Sequence, residues 1–341
     1  MRRDDSDRQL LPAVLITVGL LWLLVQVGFV PAGLVNTLAR WWPLFLVAAG
    51  LDLIVPGSRP AKLPFVAIAA AIVLLLALFA PATSTSTSTN REYDEPLSED
   101  TQSVTADVVT AGSTTTITTT TDPLSLVEAT FAGEPAGRVA TSGERDAQVE
   151  ILPLRGAFSL PFGPRGQWNI GLPASVPLSL SVDGASGPLT LELARAELRS
   201  LELESGSGRV RARLPGNGAS YSVDLDGGSG RVAVDVPPGA SVDMDAEFGS
   251  GGSDIFIGEG SDLRLELRTG SGPVVLDLPD SAPIRLEVRD DGSGRLRLPG
   301  FLTRRSGDGD TGIWESPSLG NGGRVIDVRV TATGSGPITI R

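Results

Sequence analysis

The chain has no cysteine and no histidine among its 341 residues. That removes disulfides, Cys/His zinc sites, Ser-His-Asp triads, thiol nucleophiles and a lipid-modified cysteine anchor together. Aromatic residues are scarce at 5%, and the C-terminal part offers no ladder of Tyr or Trp on which sugar rings could stack. Basic residues are outnumbered, 28 against 40. The deficit is uneven: residues 1–81 hold six basic and four acidic residues, which leaves 22 against 36 and a net charge of −14 in the remainder. Such a region repels nucleic acid and anionic lipid. The long apolar runs are confined to the start of the chain.

Residues 10–30, LLPAVLITVGLLWLLVQVGFV, contain no charge, and neither do residues 63–80, LPFVAIAAAIVLLLALFA. Both are about the length a bilayer requires. Between them, residues 34–55 are of spanning length and carry Arg40 and Asp52 near their ends, where such side chains reach the interface. Three helices are therefore expected in a membrane domain of residues 1–81. Arg2, Arg3, Arg8, Arg59 and Lys62 fall on one side and only Arg40 on the other, so the positive-inside rule predicts a multi-pass protein with its C-terminal region outside the cytoplasm. The first run exceeds the apolar core of a signal peptide and is expected to stay as an anchor. Asn36, Arg40 and Asp52 are polar groups in apolar surroundings. Twelve residues separate Arg40 from Asp52, about 18 Å along a helix, so they cannot pair with each other and are candidate contacts for a membrane partner.

After Pro81 the composition turns to ATSTSTSTNREYDEPLSEDTQ. This is too polar to bury surface and predicts a disordered tether over residues 82–102. Residues 103–341 read as a repeat. Tripeptides begin at Ala185 (ASG), Gly206, Gly228, Gly249, Gly270, Gly292 and Gly334, spaced by 21 or 22 residues except for a final gap of 42. A fixed period of this length marks a stacked architecture. The second residue after each tripeptide is Leu189, Val210, Val232, Ser253, Val274, Leu296 or Ile338, and the fourth is Leu191, Ala212, Val234, Ile255, Leu276, Leu298 or Ile340. Only Ser253 interrupts these apolar columns. Period-two alternation on both sides of each tripeptide predicts two short strands per rung.

The expected fold is thus an all-β solenoid of about 21-residue rungs, with GSG corners, behind an α-helical transmembrane domain. Gly206, Gly208, Gly228, Gly230, Gly249, Gly251, Gly270, Gly272, Gly292, Gly294, Gly334 and Gly336 are the corner residues. Glycine suits them by reaching positive φ and by leaving no side chain between stacked corners. The opposite corners fall at LPG, VPPG, IGEG and LPDSAP (214–216, 236–239, 257–260 and 278–283). The Asp-Asp before Gly292 reads as a one-residue insertion, and the long last gap reads as one unmarked rung. Seven marked rungs and this one would span on the order of 35 to 40 Å, an elongated domain.

Four features invite a chemical reading. GSGGSDIFI (249–257) resembles a calcium nonapeptide with Asp254 as ligand, but the next nine residues do not continue it, and calcium needs several oxygens from consecutive turns. Asp224 with Asp226, or Asp243 with Asp245, could be paired as acid and base, yet period-two placement on one strand face explains them. Arg209, Arg211 and Arg213 form a basic stripe, read as a solubilising face paired with Glu202 and Glu204. Trp314, in the unmarked rung, reads as a cover for the open end of the stack. No catalytic residue, metal site or cofactor follows from the sequence, and a non-enzymatic role is expected.

LLPAVLITVGLLWLL with WWPLFLVAAGLDLIV resembles the membrane region of LiaF-type cell-envelope stress proteins, in which a W-P-x6-G segment follows an apolar helix; the corresponding residues are Trp42, Pro43 and Gly50. WNIGLPASVPLSLSVDGASGPLTLEL (168–193), the GSG corners and the closing residues 312–340 are similar to toast-rack or adhesin-like β-solenoid domains. The resemblance implies a membrane-anchored sensor or modulator of envelope stress that acts through a membrane signalling protein, with self-association or a cell-wall or surface component as further partners. It implies no catalytic residue. A surface scaffold or adhesin is the alternative.

Overall fold

The computed structural model describes residues 90–341 apart from 121, 134, 155–165, 291, 321 and 333. The three expected membrane helices lie outside the described residues. The described part contains strands, turns and bends only. Its strands in chain order are β1 (Arg91–Pro96), β2 (Ser103–Val109), β3 (Thr114–Thr119), β4 (Ser125–Ala132), β5 (Gly137–Ser142), β6 (Asp146–Pro153), β7 (Gln167–Leu172), β8 (Pro177–Asp183), β9 (Leu189–Glu192), β10 (Glu197–Ser205), β11 (Val210–Arg213) and β12 (Ser220–Gly227). They continue as β13 (Val232–Val236), β14 (Ser241–Phe248), β15 (Ser253–Ile257), β16 (Asp262–Thr269), β17 (Val274–Asp277), β18 (Ile284–Asp290), β19 (Leu296–Arg297), β20 (Thr303–Ser306), β21 (Gly312–Glu315), β22 (Ile326–Ala332) and β23 (Ile338–Ile340).

Two sheets result. Sheet A runs β1-β4-β7-β3-β9-β11-β13-β15-β17-β23-β19, and sheet B runs β20-β21-β18-β22-β16-β14-β12-β10-β8-β2-β6-β5. From β8 to β17 the chain alternates between them. Each strand lies parallel to the one a period earlier: Leu203 pairs with Val182 on one side and Leu225 on the other, and Ala212 with Leu191 and Val234. The inward residues of both sheets are apolar because period-two alternation sends every second side chain between them. Leu191, Ala212 and Leu276 are fully buried. Ser253 keeps its inward place between Val232 and Val274, and its buried hydroxyl has no partner among the described residues. The Asp290 insertion appears as a register shift between Val288 and Asp290.

The order of rungs departs from the order of the chain at both ends. The last coil of the sequence, β22 with β23, is inserted between the rungs β16/β17 and β18/β19. The 42-residue gap therefore contains no further rung of the stack. It holds an excursion whose β21 and β20 lie antiparallel beyond β18. At the other end the first coil, β2 with β3, sits between β8/β9 and the later β6/β7. Two rungs that bear no tripeptide thus precede the first marked one. Beyond them, antiparallel β5 covers β6, while β4 and then β1 extend sheet A past β7.

The expected tether of residues 82–102 is corrected over part of its length, because Arg91–Pro96 form β1. The segment is polar, as read from composition, but β4 supplies a ladder of backbone partners, and Tyr93 packs edge-on against Phe131 at 5.8 Å. One aromatic inside an acidic stretch was the available signal. Phe131 in turn meets the fully buried Trp168 at 5.0 Å, and the Trp168 indole N–H donates to the Pro135 carbonyl.

Candidate interaction surfaces

The GSG corners join a sheet B strand to the next sheet A strand, so the two halves around each tripeptide belong to different sheets. Among the tripeptide glycines only Gly292 has a positive φ, 63°. Positive φ is therefore not the general reason for glycine. The reason is contact between rungs. A Cβ on Gly272 would lie 1.7 Å from the Gly251 carbonyl oxygen, one on Gly251 1.8 Å from that of Gly230, and one on Gly230 1.8 Å from that of Gly208. The third glycines stack backbone on backbone, and no side chain fits. The column follows the spatial order of the rungs: Gly336 meets the Gly272 carbonyl, and Gly294 meets that of Gly336.

The split between sheets also corrects the reading of the basic stripe. Arg211 and Arg213 point outward from sheet A, whereas Glu202 and Glu204 point outward from sheet B. Arg213 instead reaches the in-register Asp235 at 3.3 Å and Glu192 at 3.8 Å. Arg231 pairs with Asp254 at 2.9 Å, so the residue in the calcium-ligand position is an exposed ion-pair partner. These exposed pairs contribute at most about 1 kcal/mol each. Arg211 has no ion-pair partner among the described residues. It lines an open groove of about 460 Å³ with Arg213, Ala233, Asp235, Asp254 and Phe256. Phe256 is 54% exposed on a face it shares with Arg211, Arg213 and Asp235. Hydrophobic alternation alone could have flagged it, because it occupies an outward position in SDIFI.

Sheet B presents acids in register. Glu202, Asp224, Asp245 and Glu266 form one column, and Glu204, Asp226 and Glu247 form the next, ending at Arg268. Arg268 clamps Asp245 through two hydrogen bonds, of 2.7 and 3.2 Å, and this contact raises its pKa. Closer to the β18 end, the Arg289 guanidinium donates to Glu287 at 2.9 Å, while Arg329 approaches Glu287 at 3.6 Å. The Arg289 bond is the main reason the Glu287 carboxyl lies below the usual carboxylate range, with burial acting against it. The aspartates considered as acid and base, Asp224 with Asp226 and Asp243 with Asp245, belong to these outward faces. No cluster suited to a metal ion occurs among the described residues.

Trp314 lies on β21, opposite Leu286 of β18, 5% exposed and beneath the Arg304 guanidinium at 4.8 Å. It covers the end of sheet B as an end cap should. Tyr221, also buried, donates its hydroxyl to the Pro215 carbonyl, and burial pushes its phenol pKa up. Asn36, Arg40 and Asp52 lie outside the described residues.

No curated protein matches the chain. Among solved structures, a candidate cell adhesion protein from Clostridium sporogenes is similar at 16% identity and a TM-score of 0.35, over 74% of this chain and 98% of that one. A candidate adhesin from Bacteroides fragilis is similar at 11% identity and a TM-score of 0.28, over 74% of this chain and 96% of that one. Family models divide the chain between them. Residues 83–235 match the N-terminal domain of toast_rack, and residues 10–87 match the LiaF transmembrane domain. The chain thus combines a match to a LiaF-type transmembrane domain with a match to a toast-rack-type domain, and the former implies a membrane anchor.

Proposed function

We propose that the protein senses or regulates cell-envelope stress without catalysing a reaction. In this reading the β domain lies outside the cytoplasm, and the membrane helices contact a membrane signalling protein. The observation that carries it is the union, in one chain, of a LiaF transmembrane domain with a repeat β domain. The distribution of basic residues supports the orientation. The β domain's outward faces support a role in contacts rather than chemistry: their carboxylates stand in open columns along strands, and the groove beside Arg211 is an open surface depression. Asn36, Arg40 and Asp52 are the proposed contacts within the membrane, since intramembrane polar groups face protein or water rather than lipid. The alternative reading, a surface scaffold or adhesin-like protein, is favoured by the edges of sheet A, which are unpaired among the described residues.

Co-purification from gently solubilised membranes tests the proposal. Residues 1–81 are expected to retain a membrane signalling partner, and the full chain carrying Asn36→Leu and Asp52→Leu is expected to insert normally but hold the partner less well. Should the partner follow the β domain instead, or no membrane partner appear, the scaffold reading prevails. Orientation is read separately from single cysteines, since the chain has none of its own. A cysteine at Ser88 is expected to react with an impermeant thiol reagent in intact cells, and one at Ser58 to be protected. The reverse pattern would overturn the topology.

A further inference from the structure

The two ends of sheet A are unlike in charge. At one end β4 and β1 carry sheet A two strands beyond the rung β6/β7, while sheet B gains only β5. At the other end sheet B gains β21 and β20 beyond the rung β18/β19, and sheet A stops at β19. Sheet A thus projects one strand past sheet B at one end and stops two strands short of it at the other, so an incoming β1 reaches β19 only if β20, exposed throughout, yields to the neighbour's β5. The outermost strand of the projection is acidic, REYDEP, and Glu92 and Asp94 stand beside Tyr93 on it. The recess is floored by β19, where Arg295 and Arg297 are exposed and have no ion-pair partner among the described residues, while Leu296 is half-buried against the core.

Strand direction and backbone groups are compatible with joining the two ends. β1 runs antiparallel to β4 and β4 antiparallel to β7, and every later pairing in sheet A is parallel, so β1 and β19 point the same way. A second copy stacked by translation would bring its β1 alongside β19 in a parallel pair. Ile338 donates its N–H to the Arg295 carbonyl. In a parallel ladder this leaves the N–H and C=O of Leu296 on the outer side, available to another strand. With Tyr93 opposite Leu296, Glu92 falls beside Arg295 and Asp94 beside Arg297.

We propose that the β1 edge of one copy adds to the β19 edge of another, extending sheet A head to tail. Like edges repel, acid against acid and base against base, so the same charges that blunt edge association in general make this contact directional. Such a contact is heterologous and does not close on itself unless a rotation intervenes. Asp94 already accepts a hydrogen bond from the Ser125 hydroxyl at 3.0 Å through Oδ1, which fixes its side chain and leaves Oδ2 for the incoming guanidinium. The proposal deepens the self-association part of the functional reading but does not depend on a signalling partner.

Disulfide trapping in native membranes tests it on the full chain. Two differently tagged forms, Asp94→Cys and Arg297→Cys, are expressed together and oxidised. Neighbouring strands lie about 4.8 Å apart, within the range a disulfide bridges. A mixed dimer is expected to dominate over both homodimers. Adding Glu92→Lys to the Asp94→Cys form is expected to remove the mixed dimer, and adding Arg295→Glu to the other form as well is expected to restore it. Restoration excludes misfolding as the cause of the loss. The proposal is overturned if homodimers form as readily as mixed ones, if neither cysteine crosslinks although both react with thiol reagents, or if Arg297→Cys captures a different protein while Asp94→Cys captures nothing. None of these outcomes depends on recovery of a signalling partner, so each is separable from failure of the sensing proposal.

Discussion

The middle of the β domain and its ends are built by different rules. From β8 to β17 each coil rests on the one before it in the chain, all pairings are parallel, and the tripeptide glycines have ordinary φ values, positive φ falling instead at Gly218, Gly239 and Gly260 of the opposite corners. At the ends the chain order is permuted, and the antiparallel strands β5, β4, β1, β21 and β20 are added outside the stack, although the β23–β19 pairing that ends sheet A is parallel. A repeating coil propagates by itself because every rung offers its neighbour the same columns. It cannot end by itself, since its last rung would expose an apolar face and a free edge. Both ends solve this in the same way: an internal segment is placed outside the coil nearest the chain terminus, and hairpin strands cover it. The terminal coils β2/β3 and β22/β23 are consequently held on both sides.

The largest expected effect on this contrast comes from the middle. Gly272→Val would set a branched side chain against the Gly251 carbonyl, where even a Cβ lies 1.7 Å away, and is expected to destabilise residues 88–341 by on the order of 4 kcal/mol. Gly300→Val, in the excursion, meets open space without a positive φ and is expected to change little. Equal melting of the two variants would show that the corners are not constrained by stacking. A smaller difference is expected in the apolar columns. Leu265 is fully buried in β16, and Leu265→Ala should cost about 3 kcal/mol. Leu296→Ala, at the half-buried end, should cost less than about 1 kcal/mol, and denaturant titration of both checks the order. The smallest effect is at a corner of the first marked rung. Ala185 has φ 35°, so Ala185→Gly should relieve strain and stabilise by about 1 kcal/mol. A lower melting temperature would count against strain at that corner.

Much of this construction was legible in the sequence because it depends on period. The columns through Val210 and Ala212, the placement of Ser253, the bulge near Asp290 and the role of Trp314 all follow from alternation and spacing. The glycine corners were read with one reason too many: crowding between rungs governs them, and positive φ occurs at Gly292 alone among the tripeptide glycines. The partners of Arg213 were misread, since residues close along the chain are separated when the corner sends them to different sheets. The sheet-neighbouring Asp235 is 22 residues away.

Local sequence therefore determined what each rung is, because the inward or outward sense of a side chain needs only the period of a strand, and the room at a corner needs only the absence of a Cβ. It did not determine the order in which rungs lie. Parallel strands with equivalent apolar columns accept one another in many orders; Leu263 and Ile284 both pair in register with Ile326. Only the tertiary structure decided that β22 enters between β16 and β18, that β2 lies inside β6, and that the polar segment after the membrane domain becomes the edge strand β1. Those choices depend on which end of the stack must be covered, a property of the whole assembly that no single repeat contains.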